Sequence, residues 1–399
     1  MPNRMYKYRL YPSKSQTKIL EEQLELCHQT YNWLLIQCRS TYKETGKLLT
    51  QFDLNKALTA LKRQRPETKK VHSQVLQNIS KRIKDAYTVF FARRGACLKA
   101  GLPRFKKPGR YKSVTYPQSG FMIEDGRLSL SKIGDIKIRL HREIQGQIKT
   151  LTVKRMPSGR WYACFSCVVE VQSREKPQGD VGVDLGLHSY AVLSDGAHIE
   201  NPRYYRASER RLAHLQRGLS RKMRGSSNWV KAKTRVARLH GKIRSRRSDF
   251  LHKASRRIAD TYEVVYVEDL RIGSMIRNHR LAKSISDAGW GRFIGMIAYK
   301  EEESGGQLIQ VDANGTTQMC SGCGETVPKD LSQRIHMCPL CGLVLDRDLN
   351  AALNVLGRGQ EIGREPPEYT PVGEETTIQP QLVEQVSSMN QEASLLVGR

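Results

Sequence analysis

The chain has 399 residues, a length typical of two or three domains, and 39% of them are hydrophobic, which excludes a fully disordered protein. It carries 67 Lys and Arg against 39 Asp and Glu, a formal charge of +28, and this excess indicates a polyanionic partner, first of all nucleic acid. No run of about 18 apolar residues is present, which excludes a transmembrane span and a membrane partner, and the N-terminus lacks the apolar stretch of a secretory signal.

The first 176 residues predict a helical domain and a small β-barrel. Residues 4–11 alternate polar and apolar side chains, which predicts a strand. Apolar residues then recur at steps of three and four over 14–97, which predicts a bundle of helices. Short alternating segments separated by turn residues follow at 127–131, 136–140, 151–156 and 161–169. We therefore assign residues 14–97 to the helical domain and residues 1–13 with 98–176 to the barrel.

Residues 177–357 alternate between strand and helix patterns and predict an α/β domain. The expected elements are strands over 180–187, 263–267 and 307–312 and helices that begin at Asp287 and Asp346. The pattern is interrupted by a basic insertion and by a cysteine-rich segment.

The region 201–260 concentrates positive charge, with 19 Lys and Arg against three Asp and Glu. Apolar residues recur at helical spacing on both sides of Gly225–Asn228, which predicts two long helices joined by a hinge and inserted over 203–260. Because so many like charges repel unless an anion neutralises them, we favour phosphate contacts over a solvated hairpin. The predicted nucleic-acid contacts are Arg221, Lys222, Arg224, Lys231, Lys233, Arg235, Arg238, Lys242, Arg244, Arg246 and Arg247.

Four of the nine cysteines form two CxxC motifs, CSGC and CPLC, separated by 14 residues. Two such knuckles bring four thiolates to one tetrahedral ion, and four thiolates leave no open position for a catalytic water. The spacing therefore predicts one structural Zn2+ in a ribbon over 315–345, held by Cys320, Cys323, Cys338 and Cys341. Because no framework of paired cysteines is present elsewhere, the pattern favours a reducing compartment.

Three acidic residues lie at or near the ends of predicted elements. Asp184 lies in an apolar strand within GVDLGL, Glu268 ends a second strand within VYVEDL, and Asp348 lies at the start of the last helix within DRDLNAAL. A buried carboxylate is costly unless it is paired or bound to a metal, and carboxylate oxygens are ligands that Mg2+ prefers. As a set beside the basic helices, these acids predict a nuclease that holds two catalytic Mg2+ ions and hydrolyses phosphodiesters.

The same motifs resemble the TnpB family, the OrfB-type proteins of bacterial insertion sequences. Asp184, Glu268 and Asp348 are similar to the three motif acids of a RuvC-type, RNase H-like nuclease, and the ribbon from TTQMCSGCG to DRDLNAALN resembles TnpB, as do MYKYRLYPSKSQ and PRFKKP near the N-terminus. The resemblance covers about residues 4–357. It implies an α+β multidomain fold in which a helical bundle and a small β-barrel precede a RuvC-like domain with an inserted zinc ribbon. The family pattern also favours Asp348 over Asp346 as the metal ligand.

This resemblance implies an RNA-guided DNA endonuclease, similar to type V CRISPR effectors. Such a protein binds a guide RNA transcribed from the transposon end, reads a short motif beside the target, and cuts both strands of double-stranded DNA with one RuvC site. The basic helices would hold the RNA and the heteroduplex, while residues 1–176 would read the flanking motif and grip the RNA. The implied location is the bacterial or archaeal cytoplasm, at the nucleoid, and we expect a monomer.

Three alternatives remain open at this point. A nuclease-inactive relative would act as an RNA-guided repressor that binds without cutting, although all three acids are present here. A transposase or transposition regulator, or a structure-selective resolvase, would act on DNA without guide RNA, although the excess of basic charge fits RNA binding better. The tail at 358–399, with seven Glu and two Arg from Gln360 onward, predicts a disordered acidic extension.

Overall fold

In the computed structural model, which describes residues 3–170, 179–330 and 332–364, the chain forms two units that each combine helices and strands. The first unit holds residues 3–169, and the second holds the described residues from 170 onward. The predicted α+β class is therefore confirmed. The domain boundary expected at 176 and the tail from residue 365 lie outside the described residues. Within those residues no helix is both long enough and apolar enough to cross a membrane.

In the first unit a strand precedes three helices and six further strands. The elements are β1 (Asn3–Tyr11), α1 (Lys14–Thr45), α2 (Gln51–Gln64), α3 (Ser73–Gly95), β2 (Ser113–Tyr116), β3 (Phe121–Glu124), β4 (Arg127–Leu130), β5 (Gly134–Arg139), β6 (Gln147–Arg155) and β7 (Trp161–Val168). Capping boxes at Ser13 and Thr50 satisfy free N–H groups at the starts of α1 and α2. The cap at Ser13 explains why a helix starts so soon after β1.

The seven strands form one antiparallel sheet in the order β2-β6-β7-β1-β5-β4-β3. Its two edge strands, β2 and β3, are consecutive in the chain and are joined only by residues 117–120, so the sheet must curl until its edges approach. The rings of Tyr116 and Phe121, one from each edge, have centroids 6.3 Å apart. Strand β1 lies at the centre, so the N-terminal segment belongs to the same sheet.

The helices of the first unit and its sheet share one hydrophobic core. Arg82 of α3 joins the two layers, because its guanidinium donates to Tyr111 Oη at 3.1 Å, to Ser113 O at 3.2 Å and to Thr115 Oγ1 at 2.8 Å. Residues 14–97 and the sheet therefore pack as one unit, although their sequence patterns differ.

The second unit contains a five-stranded sheet and the remaining helices. The elements are β8 (Asp180–Asp184), β9 (Ser189–Leu193), β10 (His198–Glu200), α4 (Glu209–Ser220), α5 (Ser227–Thr261), β11 (Val264–Glu268), α6 (Ile272–Met275), α7 (Ala282–Ala288), α8 (Trp290–Ser304), β12 (Gln307–Val311), β13 (Ile335–Met337), β14 (Val344–Asp346) and α9 (Arg347–Arg364). The sheet order is β10-β9-β8-β11-β12, with β8, β11 and β12 parallel. The two basic helices predicted around Gly225 are α4 and α5.

The helix expected to begin at Asp287 is two helices in the structure. Asp287 lies in the last turn of α7, and Gly289, with φ of 70°, separates α7 from α8. Glycine readily adopts the left-handed backbone conformation that ends a helix. The spacing of apolar residues is helical on both sides of Gly289, so this spacing alone does not show that the helix breaks there.

The last helix begins one residue later than predicted and extends to Arg364, so residues 358–364, which were predicted to belong to the disordered tail, are helical instead. Asp346 lies outside it, at the end of β14. The Oδ1 atom of Asp346 accepts the backbone N–H groups of Asp348 and Leu349 at 2.9 and 3.1 Å. Asp346 therefore caps the helix, which explains its place two residues before Asp348.

Helix α9 crosses the centre of the second sheet at Gly182 of β8. A Cβ atom at Gly182 would lie 2.2 Å from the carbonyl oxygen of Ala352 and 2.6 Å from the nitrogen of Leu356. Both are backbone atoms of α9, so neither can rotate aside. The missing side chain of Gly182 therefore sets how closely α9 approaches β8.

Substituting Gly182→Ala is expected to force α9 outward and to destabilise the second unit by about 3 kcal/mol, at the upper end for overpacking a core. Thermal unfolding of the variant measures this loss. Gly241→Ala is the control, because Gly241 lies in α5 with no atom near its absent Cβ, and alanine there should stabilise the helix by about 0.5–1 kcal/mol. Equal midpoints for the two variants would contradict the close approach at Gly182.

Candidate functional site

Two of the three predicted acids lie side by side at one edge of the second sheet. Asp184 is the last residue of β8 and Glu268 is the last residue of β11. The two strands are parallel neighbours, and Val183 pairs with Val267, so the following acids stand level. Their residues are only 8% and 6% exposed. The carboxyl edge of parallel strands is where α/β sheets bind ligands.

The third acid, Asp348, lies in the first turn of α9 and is 9% exposed, whereas Asp346 and Asp269 are exposed. Burial raises the pKa of Asp184 well above its usual range, and the negative charges of Glu268 and Asp348 raise it further. Burial also raises the pKa of Glu268. Glu268 and Asp348 thus lie close enough to Asp184 for their charges to repel it, and a cation would relieve this repulsion.

Neutral and cationic side chains hold two of these carboxylates. Thr316 Oγ1 donates to Glu268 Oε1 at 2.5 Å. Arg347 donates to Asp348 Oδ1 through Nε and Nη2 at 3.0 and 2.9 Å, and Arg334 Nη1 lies 3.7 Å from Asp348 Oδ2. None of these three partners was predicted from the sequence. Arg347 adjoins the predicted acid in DRD, but the pattern contains no signal for Thr316 or Arg334.

The four predicted thiols come together in the ribbon. Cys320 Sγ lies 3.6 Å from Cys341 Sγ, and Cys323 Sγ lies 3.6 Å from Cys338 Sγ. These distances are too long for disulfides, and a tetrahedral ion with metal–sulfur bonds of about 2.3 Å requires sulfurs about 3.8 Å apart. The cysteines are the one group within the described parts of the chain whose three or more ligand atoms lie within 4.8 Å of one another. The carboxylates are therefore more widely spaced than the thiols.

Backbone groups prepare the ribbon to hold a cation. The N–H groups of Cys341 and Leu340 lower the pKa of Cys338 to about 7, which favours the thiolate there, whereas the nearby thiols raise the pKa of Cys323 and of Cys341, a cost that a bound cation would offset. Gly324 and Gly342 follow the two CxxC motifs with φ of 79° and 73°, so each knuckle turns at a residue that tolerates the left-handed region. The four cysteines can thus hold one metal ion.

Ten of the eleven predicted nucleic-acid contacts are exposed, three in the turn between α4 and α5 and seven on α5. None of these ten has a carboxylate within 4.0 Å among the residues that the structure describes. Lys233 lies over the Trp229 ring, 4.6 Å from its centroid. The exposed cations form a basic surface, which consists of Arg221, Lys222, Arg224, Lys231, Lys233, Arg235, Arg238, Lys242, Arg244 and Arg246.

Arg247 differs from the other ten. Its Nη2 atom lies 2.5 Å from Asp287 Oδ1, and the Asp287 side chain is 6% exposed. Asp287 Oδ2 also accepts the Tyr205 N–H at 2.8 Å. Arg247 therefore ties α5 to α7 and to the segment before α4. Its partner lies 40 residues away in sequence, so the basic pattern alone could not reveal this contact.

Family models match three parts of the chain. A model of the OrfB family of IS605 elements, described as a probable transposase, matches residues 164–279, and a Cas12f1-like TNB domain model matches 290–355. A helix-turn-helix model of the OrfB family matches 1–47, although the structure has one strand and one 32-residue helix there.

Two relatives align along most of the chain. A protein from Streptomyces pristinaespiralis, which is named for an RNA-guided DNA endonuclease, is 34% identical to this chain over 370 residues, which cover 89% of each chain. InsQ of Escherichia coli strain K12, which is also named for an RNA-guided DNA endonuclease, is 32% identical over 378 residues, which cover 90% of this chain and 92% of InsQ. A solved Cas12f1 chain, in a complex with guide RNA and target DNA, aligns with a TM-score of 0.56 at 15% identity, covering 86% of this chain and 83% of that one, and shows likeness of fold alone.

The matched ranges extend over both units and span the positions of the acids and the cysteines. They place the protein in the class of OrfB-type proteins of insertion sequences. The chain belongs to the TnpB family.

Proposed function

We propose that this protein is an RNA-guided DNA endonuclease that binds a guide RNA from the transposon end and hydrolyses double-stranded DNA at a RuvC site. The observation that carries the proposal is the meeting of Asp184, Glu268 and Asp348 at the carboxyl edge of β8 and β11, where all three are buried and the charges of Glu268 and Asp348 repel that of Asp184. The names of the two relatives support the guided activity. Recognition of a short motif beside the target, through residues 1–176, belongs to the same proposal.

The acid site fits divalent magnesium by the chemistry of its donors. All three side chains offer hard carboxylate oxygens, and their mutual repulsion favours a cation among them. Two Mg2+ ions, when bound, would supply charge for the attacking and leaving oxygens of the phosphodiester. Asp184 and Glu268 would bind the ions from the rigid ends of β8 and β11, and Asp348 would bind them from the first turn of α9.

The basic surface would hold the nucleic acid by its phosphates. Its ten cations are exposed, and sequence-independent contacts suit a protein in which base pairing with the guide supplies specificity. The four cysteines fit one structural Zn2+, since their sulfur spacing matches a tetrahedral site and all four positions are taken by thiols.

Sequencing the RNA that copurifies with the protein tests this function directly. Cells that carry the gene with its flanking DNA should yield one abundant RNA whose end reads into sequence outside the element. That complex should then cut matching DNA only when Mg2+ is present. Heterogeneous, degraded RNA, together with DNA cleavage that survives RNase treatment, would overturn the proposal in favour of a protein acting on DNA alone.

The basic surface makes a separate prediction about salt. Arg235, Arg238 and Lys242 lie on one face of α5, and replacing all three with Gln should weaken RNA binding and reduce the slope of log affinity against log salt by about 2–3. Filter binding at several salt concentrations measures the slope. Lys253→Gln is the control, because Lys253 already pairs with Asp249 at 2.9 Å on the same helix. An unchanged slope in the triple variant would mean that this face binds no phosphate.

A further inference from the structure

The loop between β12 and the first cysteine knuckle reaches the acid site through one hydroxyl group. Thr316 is 2% exposed, and its Oγ1 lies 2.5 Å from Glu268 Oε1. The same hydroxyl lies 3.3 Å from the carbonyl oxygen of Ala313, a longer and weaker contact. Because a hydroxyl has one proton, Thr316 Oγ1 can donate to only one of these oxygens, and the shorter distance assigns the hydrogen bond to Glu268 Oε1.

Two buried asparagines of α9 hold this loop in place. Asn354 Nδ2 donates to the carbonyl oxygens of Thr316 and Met319 at 2.8 and 2.7 Å. Asn350 Nδ2 donates to Met319 O at 2.7 Å, and its Oδ1 accepts the Ser321 N–H at 3.0 Å. The residues Asn350 and Asn354 are 0% and 6% exposed, so these bonds form away from water. Helix α9 therefore fixes both the Thr316 backbone and the residues that flank Cys320.

The chain of contacts joins the cysteine ribbon to the acid site without a gap. Cys320 lies between Met319 and Ser321, and the backbones of these two neighbours are hydrogen-bonded to Asn350. The backbone of Thr316 is hydrogen-bonded to Asn354, one turn further along the same helix. The same helix carries Asp348 in its first turn. One element thus sets the third acid directly and the second acid through Thr316.

A carboxylate at a strand end has a particular need for such a partner. Glu268 ends β11 beside Asp184 at the end of the parallel strand β8, so two like charges stand on neighbouring strands, and the flexible stem of Glu268 could turn its carboxylate away. A hydrogen bond on Oε1 offsets part of this repulsion and leaves Oε2 available. Hydrogen-bond partners of ligating carboxylates commonly set their orientation.

We propose that Thr316 is a positioning residue, which orients the Glu268 carboxylate and is itself held by Asn354 and the folded ribbon. The inference rests on the proposed nuclease function. It assigns a purpose to the ribbon beyond its own stability, because the loop that enters the first knuckle also aims a carboxylate of the acid site.

The test compares Thr316→Val, which keeps the shape and removes the hydroxyl, with Thr316→Ser, which keeps the hydroxyl. In the RNA complex of the full chain, Thr316→Val should slow cleavage by about 10- to 100-fold and raise the Mg2+ concentration for half-maximal rate, whereas Thr316→Ser should restore most of both. Mn2+ titration followed by electron paramagnetic resonance should show weaker binding for the valine variant only. Thr317→Val is the matched control, because the neighbouring Thr317 is exposed.

Two further readouts separate positioning from folding. Zinc content and guided binding of target DNA should be unchanged in Thr316→Val. If Thr316→Val cuts and binds Mn2+ like the wild type, the inference is wrong. If the valine variant loses target binding and zinc and serine does not restore them, Thr316 supports the fold only, which also overturns the inference. A wild-type complex that fails to cut would instead overturn the proposed function, and this inference with it.

Discussion

Replacing Asp184 with Asn is expected to abolish DNA cleavage and, in the metal-free protein, to raise thermal stability. The loss of cleavage should be at least about 10³-fold, as for other groups that act in the reaction itself. Guided binding of target DNA should persist, because Asp184 is buried at the end of β8 and the basic surface is untouched. The amide keeps the size of the carboxyl group and removes its charge.

The gain in stability follows from the direction of the Asp184 pKa. Burial, Glu268 and Asp348 raise this pKa above the value of about 3.9 in an unfolded chain, so the folded protein binds the proton more tightly. Below the pKa that Asp184 has in the unfolded chain, the protonated acid makes its full contribution to stability. This contribution is lost as the pH rises through the pKa that Asp184 has in the folded protein. As the pH rises above the pKa of the unfolded chain, Asp184 therefore costs stability, and asparagine does not carry this cost.

Thermal unfolding of both proteins in EDTA, from pH 4 to pH 8, measures the effect. The advantage of the Asn variant should grow as the pH rises, and each kcal/mol corresponds to about 2–4 °C for a unit of this size. Asp269→Asn is the control, because Asp269 is exposed beside Glu268, and this variant should cut normally. Retained cleavage in Asp184→Asn, or a stability difference that does not change with pH, would contradict the assigned site.

The positions of the acids and cysteines in the fold could be predicted from sequence because each position depends on a local pattern. An acid directly after a buried β-branched strand stands at the strand end in any parallel sheet, as Glu268 does on β11. CxxC spacing likewise determines that two thiols can meet one ion. The hinge between α4 and α5 was visible because Gly225 and its neighbours break a helical period.

The remaining contacts of the site join residues that are far apart in the chain. Thr316 and Glu268 are 48 residues apart, and Arg247 and Asp287 are 40 residues apart. In sequence, Thr316 does not differ from other threonines near a knuckle, and Arg247 does not differ from the other arginines of the basic helix. Only the fold shows that each has a carboxylate partner. Gly182 is a similar case. The position excludes any side chain only because α9 passes directly over it, and the sequence does not show that path.

Replacing Cys320 with Ser is expected to release the metal from the ribbon and to unfold it locally. The wild-type protein should carry one zinc per chain, and the variant should carry close to none, because a structural zinc contributes about 10–16 kcal/mol to the folding of such sites. Elemental analysis measures the metal, and amide hydrogen exchange should show lost protection over 320–341. The strands β8 and β11, in a separate hydrophobic cluster, should keep theirs.

The control is Cys164→Ser, a half-buried free cysteine in β7 of the first unit, which should retain zinc and exchange protection. A Cys320→Ser protein with one zinc per chain would contradict the four-cysteine site. The variant also separates two roles for the ribbon. If the ribbon only stabilises itself, cleavage should survive its unfolding. If Met319 and Thr316 depend on it through Asn350 and Asn354, cleavage should fall at least as far as in Thr316→Val, because Glu268 then loses its hydroxyl partner along with the loop that carries it.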